Sequence, residues 1–262
     1  MLRTLTSRRW LGALAVAAAF AVAAYFLGQW QWGRYEDKKA RADRINSHYN
    51  AAPQPLPQVL NASPLPRADE WTRVTAQGTY AADDTLLVRN RPNDGVYGYE
   101  VLVPFRTDGG QVVLVDRGWV RNAEAADELP KVVPPPGGTV TMTGWVRPSE
   151  KNLERRMPAG QLASINLTQA SAQLGEPLVG GYVIMEVERT ADGQSPPRPD
   201  RLEPPDTDLG PHQAYAFQWW LAMVAGFVLV VWGARREHLE GLDSPEAAPR
   251  PKKVRIWDEE DE

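Results

Sequence analysis

Histidine is the scarce reactive residue of this 262-residue chain. It occurs at His48, His212 and His238 only, and cysteine does not occur at all. Without thiols there can be no disulfides, thiolate zinc sites or cysteine nucleophiles. The three imidazoles lie far apart in sequence, so a soft or borderline metal site would need the fold to gather them. The sequence holds no Gly-rich phosphate loop followed by Lys, no G-x-S-x-G elbow and no H-E-x-x-H. Asp83-Asp84 and Asp127-Glu128 are adjacent acids, but neighbours in a strand or turn point apart, and both pairs read as solvated turns. The expectation is a protein without catalytic machinery and without a protein-held metal.

His212 stands apart. It sits in Gly210-Pro211-His212-Gln213-Ala214-Tyr215, at the head of a long apolar run. A neutral imidazole at a membrane surface could ligate a haem iron, since a porphyrin is a large apolar ring that sits well beside a membrane helix. Tyr215 and Trp219, at i+3 and i+7, share the helix face of His212 and could pack such a ring. The plainer reading of His212 is a polar anchor at the membrane–water boundary. His48 reads as a solvated linker residue and His238 as a cytoplasmic flank residue.

The elements that would position these residues are two apolar segments. The first runs over 10–32, with no charged residue between Arg9 and Arg34; the second runs over 212–233 and is followed by Arg235 and Arg236. About 20 helical residues cross a hydrocarbon layer of about 30 Å. In lipid each backbone N–H and C=O must be bonded internally, which a single apolar run achieves only as a helix. Small residues recur at four-residue spacing in Ala13, Ala17 and Ala21, and in Ala222 and Gly226, which lets helix backbones approach closely. Trp30, Trp32, Trp219, Trp220 and Trp232 lie towards the helix ends, where an indole suits the interface.

Basic residues set the expected orientation. Arg3, Arg8 and Arg9 precede the first span and Arg235 and Arg236 follow the second, which places both termini in the cytoplasm and residues 33–211 outside the cell membrane. Arg34, Lys38, Lys39, Arg41 and Arg44 argue for the opposite. The termini-inside reading is favoured because a basic cluster ahead of an apolar run resembles an export signal. Ser7-Arg8-Arg9-Trp10-Leu11 resembles a twin-arginine signal and Ala21-Val22-Ala23 a cleavage site, but the apolar run continues past that site, so an uncleaved anchor is expected.

Residues 33–211 are punctuated by proline. Residues 53–66 and 196–205 read as Pro-rich linkers and 134–138 as a turn, because proline lacks the N–H that helix interiors and central strands require. Strands are predicted over 71–80, 85–91, 97–106, 111–120, 139–147 and 181–189, with turns at 92–95 and 108–110. A short helix is predicted over 168–174, capped by Thr168 and stopped at Gly175. The resulting fold class is a membrane protein with two transmembrane α-helices flanking a mostly antiparallel β barrel or sandwich. Residues 1–9 form a cytoplasmic N-terminus, and 234–262 an acidic, disordered cytoplasmic tail. The net charge of -4, without a basic block, argues against a nucleic-acid partner.

Four ordered motifs resemble the surfeit locus cytochrome c oxidase assembly factor family. They are Leu27-Gly28-Gln29-Trp30-Gln31-Trp32-Gly33-Arg34 with Lys38; Gly98-Tyr99-Glu100-Val101 followed by Val113-Leu114-Val115-Asp116-Arg117-Gly118-Trp119-Val120; Gly144-Trp145-Val146-Arg147; and the run from His212 to Trp219. Asp116 stands where the family usually has Asn, and Gly210-Pro211 where it often has Asn residues. The resemblance implies an assembly or maturation factor for a haem-copper cytochrome c oxidase that assists insertion of haem a into the catalytic subunit. It implies transient haem a as the cofactor, with His212 as the possible ligand. The partners it implies are the catalytic subunit or its assembly intermediates, beside membrane lipid. Arg117, Gly118 and Trp119 are expected to be structural. Gln29, Trp30, Gln31 and Arg34 are expected to contact partner or lipid head groups. A stable accessory subunit of the mature oxidase, and a membrane-anchored enzyme, are the competing readings.

Overall fold

A computed structural model describes residues 2–125 and 128–243. It divides into a helical unit, formed by the two ends of the chain, and a β unit spanning Lys38–Asp208.

The helical unit opens with a four-residue helix α1 (Leu2–Leu5) and α2 (Arg8–His48). It closes with a helix that begins at His212 and ends at Asp243. Both long helices contain a stretch long and apolar enough to cross a membrane. Many of their large apolar side chains have no protein to cover them: Val16 is 70% exposed, Phe26 65% and Leu221 70%, a pattern that lipid resolves. The chain is a multi-pass membrane protein.

Both helices outrun the predicted spans. The first continues to His48 because residues 34–48 carry no proline and are rich in helix formers, with Lys39 paired to Asp43 one turn on at 2.7 Å. The second continues to Asp243, with an Arg236–Glu240 pair at 2.8 Å, so 234–243 is helix rather than disordered tail. The remainder of that expected tail, like Asp127, lies outside the described residues. His48 is half-buried rather than solvated, and its Nδ1 meets the Glu70 carbonyl oxygen at 3.1 Å.

The β unit contains β1 (Gln54–Pro55), α3 (Leu56–Val59), β2 (Arg73–Tyr80), β3 (Leu86–Asn93), β4 (Val96–Thr107), β5 (Val112–Arg121), β6 (Val140–Pro148), β7 (Gln161–Leu162), α4 (Leu167–Leu174) and β8 (Gly181–Thr190); α5 (His212–Asp243) then belongs to the helical unit. Strands β2, β6, β8, β5 and β4 form a barrel that closes where β4 returns to β2. One edge of β4 is shared: its first half pairs with β3 and its last residues, Phe105 to Thr107, pair with β2. Closure brings backbones very close, since a Cβ on Gly78 would stand 2.1 Å from the Arg106 carbonyl oxygen. The pairing is mostly antiparallel, as expected, with β5–β8, β1–β2 and β3–β7 parallel.

The barrel interior holds Val74, Phe105, Val113, Val115, Met142 and Val183, plugged by Leu56 and Leu60. The opposite face of β5 meets α4, where Leu114 and Tyr182 pack on Ile165 and Ala170. Successive residues of β5 therefore feed different apolar clusters, which is why its sequence is almost continuously apolar.

Several local expectations change. The helix α4 is capped by Asn166, whose Oδ1 accepts from Gln169 N at 3.0 Å, not by Thr168; its stop at Gly175, in the left-handed region at φ 71°, is as expected. The 53–66 stretch contains β1 and one helical turn, with Pro57 at the helix start where no N–H is needed. Pro92 and Asn93 end β3, and the turn itself is Asp94-Gly95. The 196–205 stretch is irregular but tied to the barrel. Arg198 donates to the Glu186 carbonyl at 2.7 Å, and Asp200 exchanges backbone bonds with Trp119.

Candidate functional site

In the helical unit the two long helices run antiparallel in close contact. Trp10 packs at Gly233 and Phe20 at Gly226. Trp220 covers Gly28 so closely that a Cβ there would stand 2.2 Å from its Nε1. Ala17, Ala21 and Ala24 are buried along this seam, so the small residues serve packing. An aromatic group caps it: Trp32 lies 5.8 Å from Trp220 and 6.1 Å, edge-on, from Phe217.

Beside that group the helices are joined by a polar contact, His212 Nδ1 to Gln31 Oε1 at 2.8 Å. The amide oxygen accepts in this contact and Nδ1 donates. Among the described residues Nε2 has no hydrogen-bond partner. A histidine held through one nitrogen with the other open is the arrangement seen where imidazole serves as a metal ligand. Tyr215 and Trp219 lie on the same face of α5 as His212.

The other predicted residues separate. Gln29 donates to the Tyr25 hydroxyl within α2 at 3.2 Å. Trp30 and Arg34 are exposed, and so is Tyr215, while Trp219 is half-buried. Sequence reasoning placed Gln31 and His212 in separate motifs; their pairing across helices became visible only with both in place.

In the β unit, Arg117 is the extra residue of a bulge: Val101 pairs with Gly118 and Leu102 with Asp116, leaving Arg117 unpaired in the ladder. Its fully buried guanidinium pairs with Glu188 at 2.5 Å and lies over the Tyr80 ring at 5.4 Å. Burial, with Glu188 next to it, holds the Tyr80 hydroxyl well above its usual range. Gly118 has φ 134°, and a Cβ there would stand 2.3 Å from the Asp200 carbonyl oxygen, so no other residue fits. Trp119 donates its indole N–H to the Arg91 carbonyl at 2.8 Å. All three residues work as barrel structure.

Sequence reasoning gave no role to a cavity of this unit, about 610 Å³, whose walls include Trp71, Arg91, Glu100, Asp116, Trp145 and Arg147. Arg91 bridges Glu100 at 2.5 Å and Glu150 at 2.8 Å. Burial works to lower the Arg91 pKa, but the two carboxylates more than offset it and the net shift is upward. Burial raises Asp116 well above the carboxylate range and Glu100 repels it further; Arg91 opposes burial at Glu100, which is also raised. The visible signal was one acid, Asp116, inside the apolar run of β5. Among the described residues, no group of three or more His, Asp and Glu side chains could hold a metal ion.

The sequence has counterparts among known proteins. The SURF1 family pattern matches residues 18–224. A SURF1-like protein of Mycobacterium tuberculosis is 34% identical over 217 residues, 80% of this chain and 78% of its own length. This chain belongs to the SURF1 family. The SURF1-like protein of Rickettsia bellii is 25% identical over 219 residues, 78% of this chain and 83% of its own. The cytochrome oxidase assembly protein SHY1 of Saccharomyces cerevisiae is 28% identical over 116 residues, 44% of this chain and 30% of the yeast protein. The SURF1 match covers both the His212–Gln31 contact and the Asp116–Trp119 bulge.

Proposed function

We propose that this SURF1-family protein assists assembly of a haem-copper cytochrome c oxidase by holding haem a transiently through His212 and passing it to the immature catalytic subunit. The observation that carries the reading is the Gln31–His212 contact, which orients the imidazole and leaves Nε2 open. The assembly role of the yeast relative SHY1 supports it by name. When bound, haem would supply the group that the oxidase requires. The chain's own residues would orient the imidazole, stack on the ring and keep the site beside lipid. The role is one of binding and delivery, without turnover. Both termini would be cytoplasmic and the β unit extracytoplasmic, in keeping with Arg3, Arg8, Arg9, Arg235 and Arg236.

The test is affinity capture of the tagged full-length chain from mild-detergent membranes, read by visible spectroscopy and by identification of co-purified proteins. His212→Ala is expected to lose the haem a absorption and to reduce oxidase subunits together. Gln31→Leu, which frees the imidazole without removing it, is expected to weaken haem retention about tenfold or more, the usual cost of a lost orienting partner. Oxidase subunits retained with unchanged haem in both variants would make His212 structural and favour a stable accessory subunit.

A further inference from the structure

One cavity of the β unit is lined by none of the residues around His212. Its volume, about 610 Å³, lies in the range of small-molecule sites. One wall is apolar: Tyr49 and Trp145 stack face to face at 4.2 Å with 5° between their planes, and Leu202 and Pro205 stand among the other lining residues. The rest of the lining is largely polar, and most of its charges are already matched. Arg91 is paired with Glu100 and Glu150, Arg147 with Glu70 at 2.8 Å, and Glu186 with Arg73 at 2.7 Å. Glu203 accepts from Asp94 N, and Asp206 from Asp208 N.

Most of what is left over donates. Trp71 Nε1, Arg147 Nε and Asp116 Oδ2 are buried and make no hydrogen bond among the described residues. The first two can only donate. The other oxygen of Asp116 already accepts from Gly118 N at 3.0 Å. Leaving three such atoms unpaired in a folded protein is costly unless something else pairs with them. Trp71 is moreover held at φ 70°, a conformation a bulky side chain adopts only under constraint, with the Arg147 guanidinium 4.2 Å above its ring. Arg41 and Arg201, at the cavity mouth, are exposed and make no ion pair among the described residues.

We infer that this cavity binds a small, flat, amphipathic ligand bearing an oxygen acceptor, a carboxylate foremost. Its apolar body rests on the Tyr49–Trp145 shelf, and its oxygens take the donors of Trp71 and Arg147.

The test is equilibrium dialysis of 2-naphthoate against the full-length chain in detergent, with 2-naphthylmethylamine as the cationic counterpart and empty micelles as background. Saturable binding of one naphthoate per chain is expected, at least tenfold tighter than the amine. Trp71→Phe removes the N–H together with the five-membered ring, and is expected to weaken naphthoate about tenfold while the amine, which has no use for a donor, binds as it does to the parent. His212→Ala is expected to bind naphthoate unchanged, which separates this site from the haem reading. No saturable binding, tighter binding of the amine, or equal affinity in Trp71→Phe would overturn the inference.

Discussion

Asp116 is the residue with most at stake. It is 1% exposed, one oxygen accepts from the Gly118 backbone and the other has no partner among the described residues. Burial is the main force raising its pKa and Glu100 the next, against the Gly118 N–H and Arg91. A carboxyl that holds its proton more tightly when folded than unfolded makes the native state bind more protons, so stability falls as pH rises from the ordinary carboxylate range, about pH 4, through the raised folded value. Glu100 is raised as well and contributes with the same sign. We expect the melting temperature of the full-length chain in detergent to decline over that window. Asp116→Asn, which keeps an oxygen for Gly118 N and cannot ionise, should flatten the decline. Parallel profiles for parent and variant would show that Asp116 is ionised in the fold. The sequence flagged this position only as a departure from the family motif. A lone acid in an apolar strand does not reveal whether a cation faces it, because its neighbours Glu100 and Arg91 come from other strands. His212 was easier to find, since it heads an apolar run in a chain poor in histidine. Its partner Gln31 was hidden for the same reason as those of Asp116.

At the level of elements, the spans were legible because lipid accepts only helices and requires about 20 apolar residues to make one. Their extension to His48 and Asp243 was not, because charged helix formers beyond a span suit a loop or a continued helix equally. The strands of β4 and β5 were legible from their intervening turn, whereas the parallel β5–β8 pairing and the closure of β4 on β2 depend on backbone approach that no periodicity encodes. The helix seam offers a direct check on packing. Gly28 lies beneath Trp220, while at Gly12 a Cβ would meet nothing within 4 Å. Gly28→Leu is expected to force the helices apart and lower the melting temperature followed by tryptophan fluorescence by several degrees, on the scale of about 1–3 kcal/mol for overpacking. Gly12→Leu, equal in hydrophobic gain, should leave it unchanged. Equal behaviour of the two variants would mean that the helices do not pack through this seam.

For the whole molecule, sidedness decides whether a site at the head of α5 faces the compartment proposed for the β unit. Two basic groups, Arg3 with Arg8 and Arg9 and then Arg235 with Arg236, flank the outer ends of the spans; a third, from Arg34 to Arg44, lies on the other side of the first span. The last group is interleaved with acids and folds into α2, with Lys39 bound to Asp43. Acids count little in the sorting rule, so the balance must come from the N-terminal cluster, which acts on the first span to be inserted. Because the chain has no cysteine, one introduced thiol reports position without background. Gly109→Cys, at the open tip of the β4–β5 hairpin, is expected to react with a membrane-impermeant maleimide in spheroplasts; Ser7→Cys and Leu242→Cys should react only after permeabilisation. The reverse pattern would place the head of α5 and the His212–Gln31 contact at the cytoplasmic surface. Haem delivery would then have to proceed from that face, and the positive residues 34–44, not the N-terminal arginines, would be what orients the chain.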